Sequence, residues 1–333
     1  MALSTTPRSI TRPALSRRGM LTCAGGLGIA LTLAACSDTG ADGKAVASST
    51  AGGDYDTAIN SGPVAADDAV AASTWASAIK QAGILRLGGS KTAQVFSIED
   101  PTTHRITGFD AAIGQALARY IIGGDDAASL VEVTQATSDT RETLLTNGTV
   151  DTVIATYTIT EERAQKISFA GPYYSSGQTV AVHKDTTDIA SVTDLAGRTV
   201  AVQSGSSSQA ALAEACPGAT PTPFEDNSAC LSALQTRQVD AYVVDESLLL
   251  AAVENNTDIK IVGQPFTEDP YGLGLPKDSD AQAFVNGFLA AIEADGTWTR
   301  IWQSTIGAII GGDVPQPPVI GSVAGAQTAA PAS

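Results

Sequence analysis

Residues 138–163 read SDTRETLLTNGTVDTVIATYTITEER, and the architecture turns on where the period of this stretch changes. Leu144 and Leu145 give residues 138–146 the apolar side of a short helix, and Asn147-Gly148 stops it. Residues 150–155, VDTVIA, then read as a strand. Upstream, residues 84–87 and 130–133 read as strands. Between them Phe109, Ile113, Ala116, Leu117, Tyr120 and Ile121 fall on one helical face. The order is βαβαβ, which predicts a parallel sheet.

The alternation starts again beyond His183. Strands are expected at 198–202, 220–224, 239–244 and 259–262, with helices at 206–215, 228–237 and from near Glu246. Two α/β units in series predict two lobes, and a chain of 333 residues is long enough for both cores. Residues 279–306 carry Phe284, Phe288, Ile292, Trp298 and Trp302 at helical spacing. Residues 311–333, rich in Pro and Ala, read as a disordered tail.

The amino terminus follows a different logic. Arg8, Arg12, Arg17 and Arg18 precede an apolar run over 19–35, too short for a membrane span and typical of a secretory signal. It ends Leu33-Ala34-Ala35-Cys36, which resembles the bacterial lipobox. That resemblance makes 1–36 a lipoprotein signal peptide, Cys36 the lipidated residue and the outer face of the cytoplasmic membrane the location. Ser16-Arg17-Arg18-Gly19 also resembles, weakly, a twin-arginine export signal. Residues 37–74, rich in Ala, Ser, Thr, Gly and Asp, read as a flexible tether.

Without its first 36 residues the chain carries 15 basic against 35 acidic residues, a net charge of −20. Nucleic-acid binding runs on clustered Lys and Arg, so that partner class is excluded. A small anionic ligand is not excluded, because local charge can oppose the global sign. His104 and His183 are the only histidines, too few for a metal constellation, and no cofactor motif is present. Cys216 and Cys230, in an exported chain, are either a disulfide or two buried thiols.

Ligands of open α/β sheets bind beyond the carboxyl ends of the strands, here Thr156, Gln203 and Asp245. Arg141 and Arg163 are either solvated or in the cleft; with the hydroxyls of Thr156 and Thr158 nearby, their planar forks suit carboxylates. Gln203-Ser204-Gly205-Ser206-Ser207 places a Gly/Ser turn before a helix whose free N–H groups make a small anion site. It lacks the Gly-Lys-Ser/Thr of a P-loop and the Gly-x-Ser-x-Gly of a nucleophile elbow. Asp245 either caps the next helix or pairs with an ammonium. Two guanidiniums, one carboxylate and a helix start suit a free amino acid with an acidic side chain.

At several points the chain resembles the polar amino-acid solute-binding proteins of ABC importers, above all the glutamate-binding lipoproteins of actinobacteria. The matching residues are Arg141 to Asp151, Ala155 to Arg163 and Phe169-Ala170-Gly171-Pro172-Tyr173-Tyr174, joined by Gly108-Phe109-Asp110, Asp194 to Arg198, Gln238 to Ala241, Pro270 to Gly274 and Asp295 to Trp298. The resemblance covers about 75–307. It implies an α/β, periplasmic-binding-protein-like type II fold, two α/β lobes joined by a two-segment hinge near 177–182 and 267–272. Lobe 1 would be 75–178 and 269–310, the latter ending in the C-terminal helices, and lobe 2 would be 179–268.

It also implies roles: Thr156, Thr158 and Arg163 for the ligand's α-carboxylate and amine, Asp245 for the ammonium, a backbone N–H near Ser207, and Arg141 for a side-chain carboxylate. Some relatives pair a cysteine on the strand before the Gly/Ser turn with one matching Cys230. Ala201 stands there in this chain, so Cys216 would be the partner. Ser90 replaces an Asp or aromatic frequent in relatives, and Lys91 beside it either supplies a cation to the ligand or sits in solvent. The expected function is a lipid-anchored, monomeric receptor that binds glutamate or aspartate and delivers it to an ABC permease. A sensor using the same cleft and a ligand of glutamine or asparagine are the alternatives, and an enzyme lacks a candidate acid or base.

Overall fold

The computed structural model describes residues 51–327. The signal segment 1–36 with Cys36, residues 37–50 of the expected tether and residues 328–333 lie outside the described residues. Helices α1 (Ala51–Asn60), α2 (Asp67–Ala72) and α3 (Thr74–Ala82) lead into β1 (Leu85–Gly89). A small antiparallel sheet of β2 (Thr92–Ala93), β3 (Ser97–Glu99) and β4 (Ile106–Thr107) follows. Then come α4 (Phe109–Ile122), β5 (Val131–Gln135), α5 (Arg141–Thr146), β6 (Thr152–Val153), α6 (Glu161–Ala164) and β7 (Ser168–Ser176).

The chain next builds a second sheet from β8 (Gln178–His183), β9 (Thr199–Gln203), β10 (Thr220–Phe224), β11 (Ala241–Asp245) and β12 (Ile259–Val262). Helices α7 (Ser207–Ala215), α8 (Asn227–Gln235) and α9 (Glu246–Asn255) alternate with these strands. Strand β13 (Asp269–Leu275) returns to the first sheet, and α10 (Ala281–Ala294), α11 (Thr297–Ser304) and α12 (Ile306–Ile310) follow.

The first sheet has the order β5-β1-β6-β13-β7 and the second β10-β9-β11-β8-β12. Only part of each is parallel, which corrects the expected all-parallel sheet: β13 runs antiparallel to both β6 and β7, and β8 antiparallel to β11 and β12. The reason is connectivity. β7 and β8 carry the chain out to the second sheet and β13 carries it back, so β13 must run opposite to β7. At the crossing, Ser176 pairs with Asp269, and a Cβ on Gly177 would lie 2.3 Å from the Thr267 carbonyl oxygen. The two crossing segments therefore lie side by side.

α4 anchors the core of the first lobe. Its φ of 128° at Gly108 and the Phe96 carbonyl, which a Cβ there would meet at 2.5 Å, admit only glycine. The helix buries Phe109, Ile113, Leu117 and Ile121 against the sheet. Phe109 meets Trp298 edge to face at 5.7 Å between ring centroids.

Three expectations change. Residues 51–60 and 67–72 are helical rather than part of a tether: Tyr55, Ala58 and Ile59, spaced i, i+3, i+4, are buried, and α1 packs on α4 and α11. Residues 311–327 are packed rather than a disordered tail; Val314 and Ile320 lie on the main core and Ala326 is fully buried. Cys216 and Cys230 are free thiols, both buried. Cys216 clusters with Val200 and Val202, whereas Cys230 clusters with Ala201 and Tyr242. Successive residues of β9 point to opposite faces of the sheet, so that sheet lies between the two sulfurs. Burial pushes the Cys230 thiol up to about 12.

Candidate functional site: the cleft between the lobes

The stretch that decides the fold also supplies one wall of the cleft. Thr156 has a φ of 42°, and its N–H donates to Asp110 Oδ2 at 2.7 Å. The other oxygen of Asp110 accepts the Tyr173 hydroxyl at 2.6 Å. Asp110 is 1% exposed, and burial pushes its carboxyl up to about 7 against the pull of both donors. This bend turns the chain so that 156–158 face the cleft. Strand β13 then fixes them: Ile159 N donates to the Pro270 carbonyl, Gly272 N to the Tyr157 carbonyl, and Thr158 bridges Tyr271.

Thr160 ends the run as the N-cap of α6, accepting the Arg163 N–H at 3.2 Å. Glu161 and Glu162 are exposed in the first turn, where negative charge suits the helix start. The hydroxyl alternation therefore has two uses: Thr156 and Thr158 face the ligand side, and Thr160 orients the residue that follows.

Arg163 is buried and reaches back, Nη1 donating to the Thr158 carbonyl at 2.7 Å and Nη2 to the Gly205 carbonyl of the second lobe at 3.3 Å. Arg141, also buried, donates from Nη1 to the Ala155 carbonyl at 3.1 Å and lies 3.8 Å above the centre of the Tyr157 ring. Arg163 lies 5.1 Å from the same ring, so one tyrosine carries both guanidiniums. Arg141 Nε is buried with no partner among the described residues. Burial, with the Arg163 charge behind it, pulls Arg141 down to about 9, and burial pulls Arg163 down too. Two adjacent cations out of water are costly unless an anion joins them.

The second lobe completes the site. Asp245 ends β11, is 6% exposed, and makes no side-chain cap to α9, which removes the capping alternative. Its Oδ1 is buried with no partner among the described residues, and burial plus the nearby Asp269 carboxylate push the carboxyl up to about 7. A cation placed there would be strongly held. Ser207 opens α7, and its hydroxyl lies 3.1 Å from that of Thr158 across the cleft. Gly205, at φ 67°, brings its backbone against Asp139, where a Cβ would sit 2.3 Å from Oδ1. Gln203 donates from Nε2 to the Tyr242 hydroxyl at 3.1 Å, and that hydroxyl donates to Asn227 Oδ1 at 3.0 Å.

Thr92 of the first lobe donates to Asp226 Oδ2 at 3.1 Å, a further contact across the cleft. An inner cavity of about 30 Å³ is lined by Arg141, Thr156, Gln203 and Asp226, and an outer recess of about 670 Å³ by Glu142, Arg163, Gly205 and Ser207. Arg141, Thr156 and Gln203 thus share the inner cavity and Arg163 and Ser207 the outer recess; Thr158 joins them through the Ser207 hydroxyl, and Asp245 lines neither space, though its charge acts on both arginines. Lys91 takes no part: its Nζ pairs with Glu99 Oε2 at 3.0 Å. The small sheet sets Glu99 beside it, the Glu99 N–H donating to the Lys91 carbonyl.

Asp110 and Tyr157 carry the site without having been read as site residues. The signals for Asp110 were its place in the matching Gly108-Phe109-Asp110 stretch and its being an acidic residue in a largely apolar helix. Tyr157 stands between two threonines, which strand alternation sends to the face opposite theirs.

The family profile of bacterial extracellular solute-binding proteins, family 3, matches residues 85–308. The ABC transporter glutamine-binding protein GlnH of Bacillus subtilis is 33% identical over 231 residues, 69% of this chain and 83% of the relative. The glutamate-binding protein GluB of Corynebacterium glutamicum is 31% identical over 204 residues, 57% of this chain and 69% of the relative. A crystal structure of the solute receptors for L-cysteine of Neisseria gonorrhoeae aligns at a TM-score of 0.67 and 26% identity, covering 71% of this chain and 95% of that one. The family consists of extracytoplasmic receptors that bind free amino acids and work with an ABC permease, not of enzymes. By the extent of that match and a type II two-lobe architecture shared with solved amino-acid receptors, the chain belongs to the bacterial extracellular solute-binding proteins, family 3.

Proposed function

We propose that the protein binds glutamate, and aspartate more weakly, between its lobes and delivers it to an ABC permease from a lipid anchor at Cys36, acting as a monomer. The observation that carries the ligand is the pair of buried guanidiniums on Tyr157, together with the Asp245 carboxylate, whose charge acts on both and whose Oδ1 has no partner among the described residues. The α-carboxylate sits on Arg163, Thr158 and the start of α7; the ammonium sits on Asp245; the side-chain carboxylate reaches Arg141. Each buried charge then has an opposite partner, which a neutral side chain at Arg141 would not achieve.

Closure follows from the same contacts. The inner cavity is small, about 30 Å³, and an amino acid enters it when the lobes part along the 176–178 and 262–269 crossings. The ligand favours the closed state because its carboxylates and ammonium are satisfied only when both lobes reach it. Glutamine is the second reading. It is favoured by the name of the Bacillus relative and by the amide and carboxylate groups of Gln203, Asn227 and Asp226 at the inner end.

A thermal-shift screen against the twenty amino acids tests the proposal. At a hundred times its Kd a ligand stabilises by about 2.7 kcal/mol. Glutamate is expected to give the largest shift, aspartate a smaller one and the basic amino acids none. A larger shift with glutamine or arginine would refute the acidic ligand.

A further inference from the structure

Residues 311–327 lie outside the family match, yet they run across the back of the segment that presents Arg163. Gly321 N donates to the Gly171 carbonyl at 2.8 Å. Gln282 ties the strap to β7, its Nε2 donating to the Phe169 carbonyl at 2.7 Å and the Ala326 carbonyl at 3.3 Å. Ala326 is 0% exposed in a cluster with Tyr157, Ile159, Ile167 and Phe169, and Val323 packs on that cluster. Gly325, at φ 94°, lies so close that a Cβ would be 3.1 Å from Ala164 Cβ and 3.3 Å from the Thr160 carbonyl oxygen.

These contacts converge on Tyr157 to Ala164. The front of that segment holds Thr158 and Arg163, and Tyr157 carries the two guanidiniums. β13 holds residues 157–159 from one side, but α6 beyond them is a single turn, held by its own short-range backbone bonds, the Thr160 cap and the Lys277 ammonium on the Ala164 carbonyl. A four-residue turn is not stable by itself, and its placement must come from tertiary packing.

We infer that the carboxy-terminal strap is a positioning element of the ligand site, holding the 157–164 segment so that Arg163 meets the ligand's α-carboxylate. The inference rests on the amino-acid-binding reading above. Without the strap the segment samples other placements, and the apparent Kd rises by the inverse of the competent fraction.

The test compares the full chain with one ending at Gly312, titrated with L-glutamate and L-glutamine in a calorimeter. Hydrogen exchange at the Arg163 to Ile167 amides is followed without ligand. If the truncated chain holds the competent geometry about a tenth of the time, its Kd rises roughly tenfold and the amides exchange faster. A synthetic peptide of residues 311–327 added to it restores both. Should the truncated chain not fold, Gly325→Val in the full chain loosens the strap and is read the same way. Unchanged exchange and unchanged Kd overturn the inference. If neither amino acid binds the full chain, the ligand reading fails while exchange still decides on the strap.

Discussion

Arg163→Ala is expected to weaken every amino-acid ligand by about 3 kcal/mol or more, roughly a hundredfold in Kd, because a buried α-carboxylate would be left without its partner. The loss has a second source. Arg163 bonds the Thr158 carbonyl of one lobe and the Gly205 carbonyl of the other, so its removal also loosens the closed state that the ligand must favour. Arg163→Lys keeps the charge but not the planar fork, and should recover only part of the affinity. Calorimetric titration of the two variants reads both effects. Affinity unchanged in the Ala variant would mean that the carboxylate sits elsewhere and that the cleft has been assigned wrongly.

Arg141→Met separates the ligand's two ends. Methionine keeps an apolar contact over the Tyr157 ring but takes away the guanidinium meant for the side-chain carboxylate. Glutamate is expected to lose about 2–3 kcal/mol and glutamine less than about 1, since only glutamate would bury a charge that the variant leaves unpaired. The unliganded protein should respond the other way. Arg141 is pulled down by burial and by Arg163, with Nε unpartnered, so removing it relieves a cost. The melting temperature without ligand should stay level or rise while glutamate affinity falls. Equal losses for the two amino acids would remove Arg141 from the side-chain role.

Much of this site could be read from residue type and order, because strand ends and arginine chemistry leave local signatures. Thr156, Thr158 and Asp245 stand at or shortly beyond a strand, and their positions survive small errors in strand length, while Arg163 follows in the single turn of α6. β6, for instance, is only Thr152–Val153 although the expected strand extends over 150–155. What sequence could not supply was pairing over long separations. The antiparallel return of β13 depends on where the crossings to the second sheet lie, and no local period encodes that. The faces of β9 decide the cysteines: a spacing of 14 residues is compatible with a disulfide, but Ala201 and Val202 point to opposite sides and take Cys230 and Cys216 with them.

Composition misled twice for the same reason. Residues 51–72 and 311–327 are rich in small residues, and small residues fit tight contacts as readily as they fit loose tethers. Tyr55 and Ile59 in the first segment and Ala326 in the second are buried because the first lobe offers them apolar partners far away in sequence. Lys91 went astray through a neighbour, since Glu99 reaches it only once the small sheet has formed.

The most direct measurement is a crystal structure of the protein grown with L-glutamate. The ligand is expected with its α-carboxylate on the Arg163 guanidinium, its ammonium on Asp245 Oδ1 and its γ-carboxylate on Arg141, the lobes closed around it. Glutamate bound outside the cleft, or within it with the γ-carboxylate turned away from Arg141, would contradict the assignment of an acidic side chain to the second arginine.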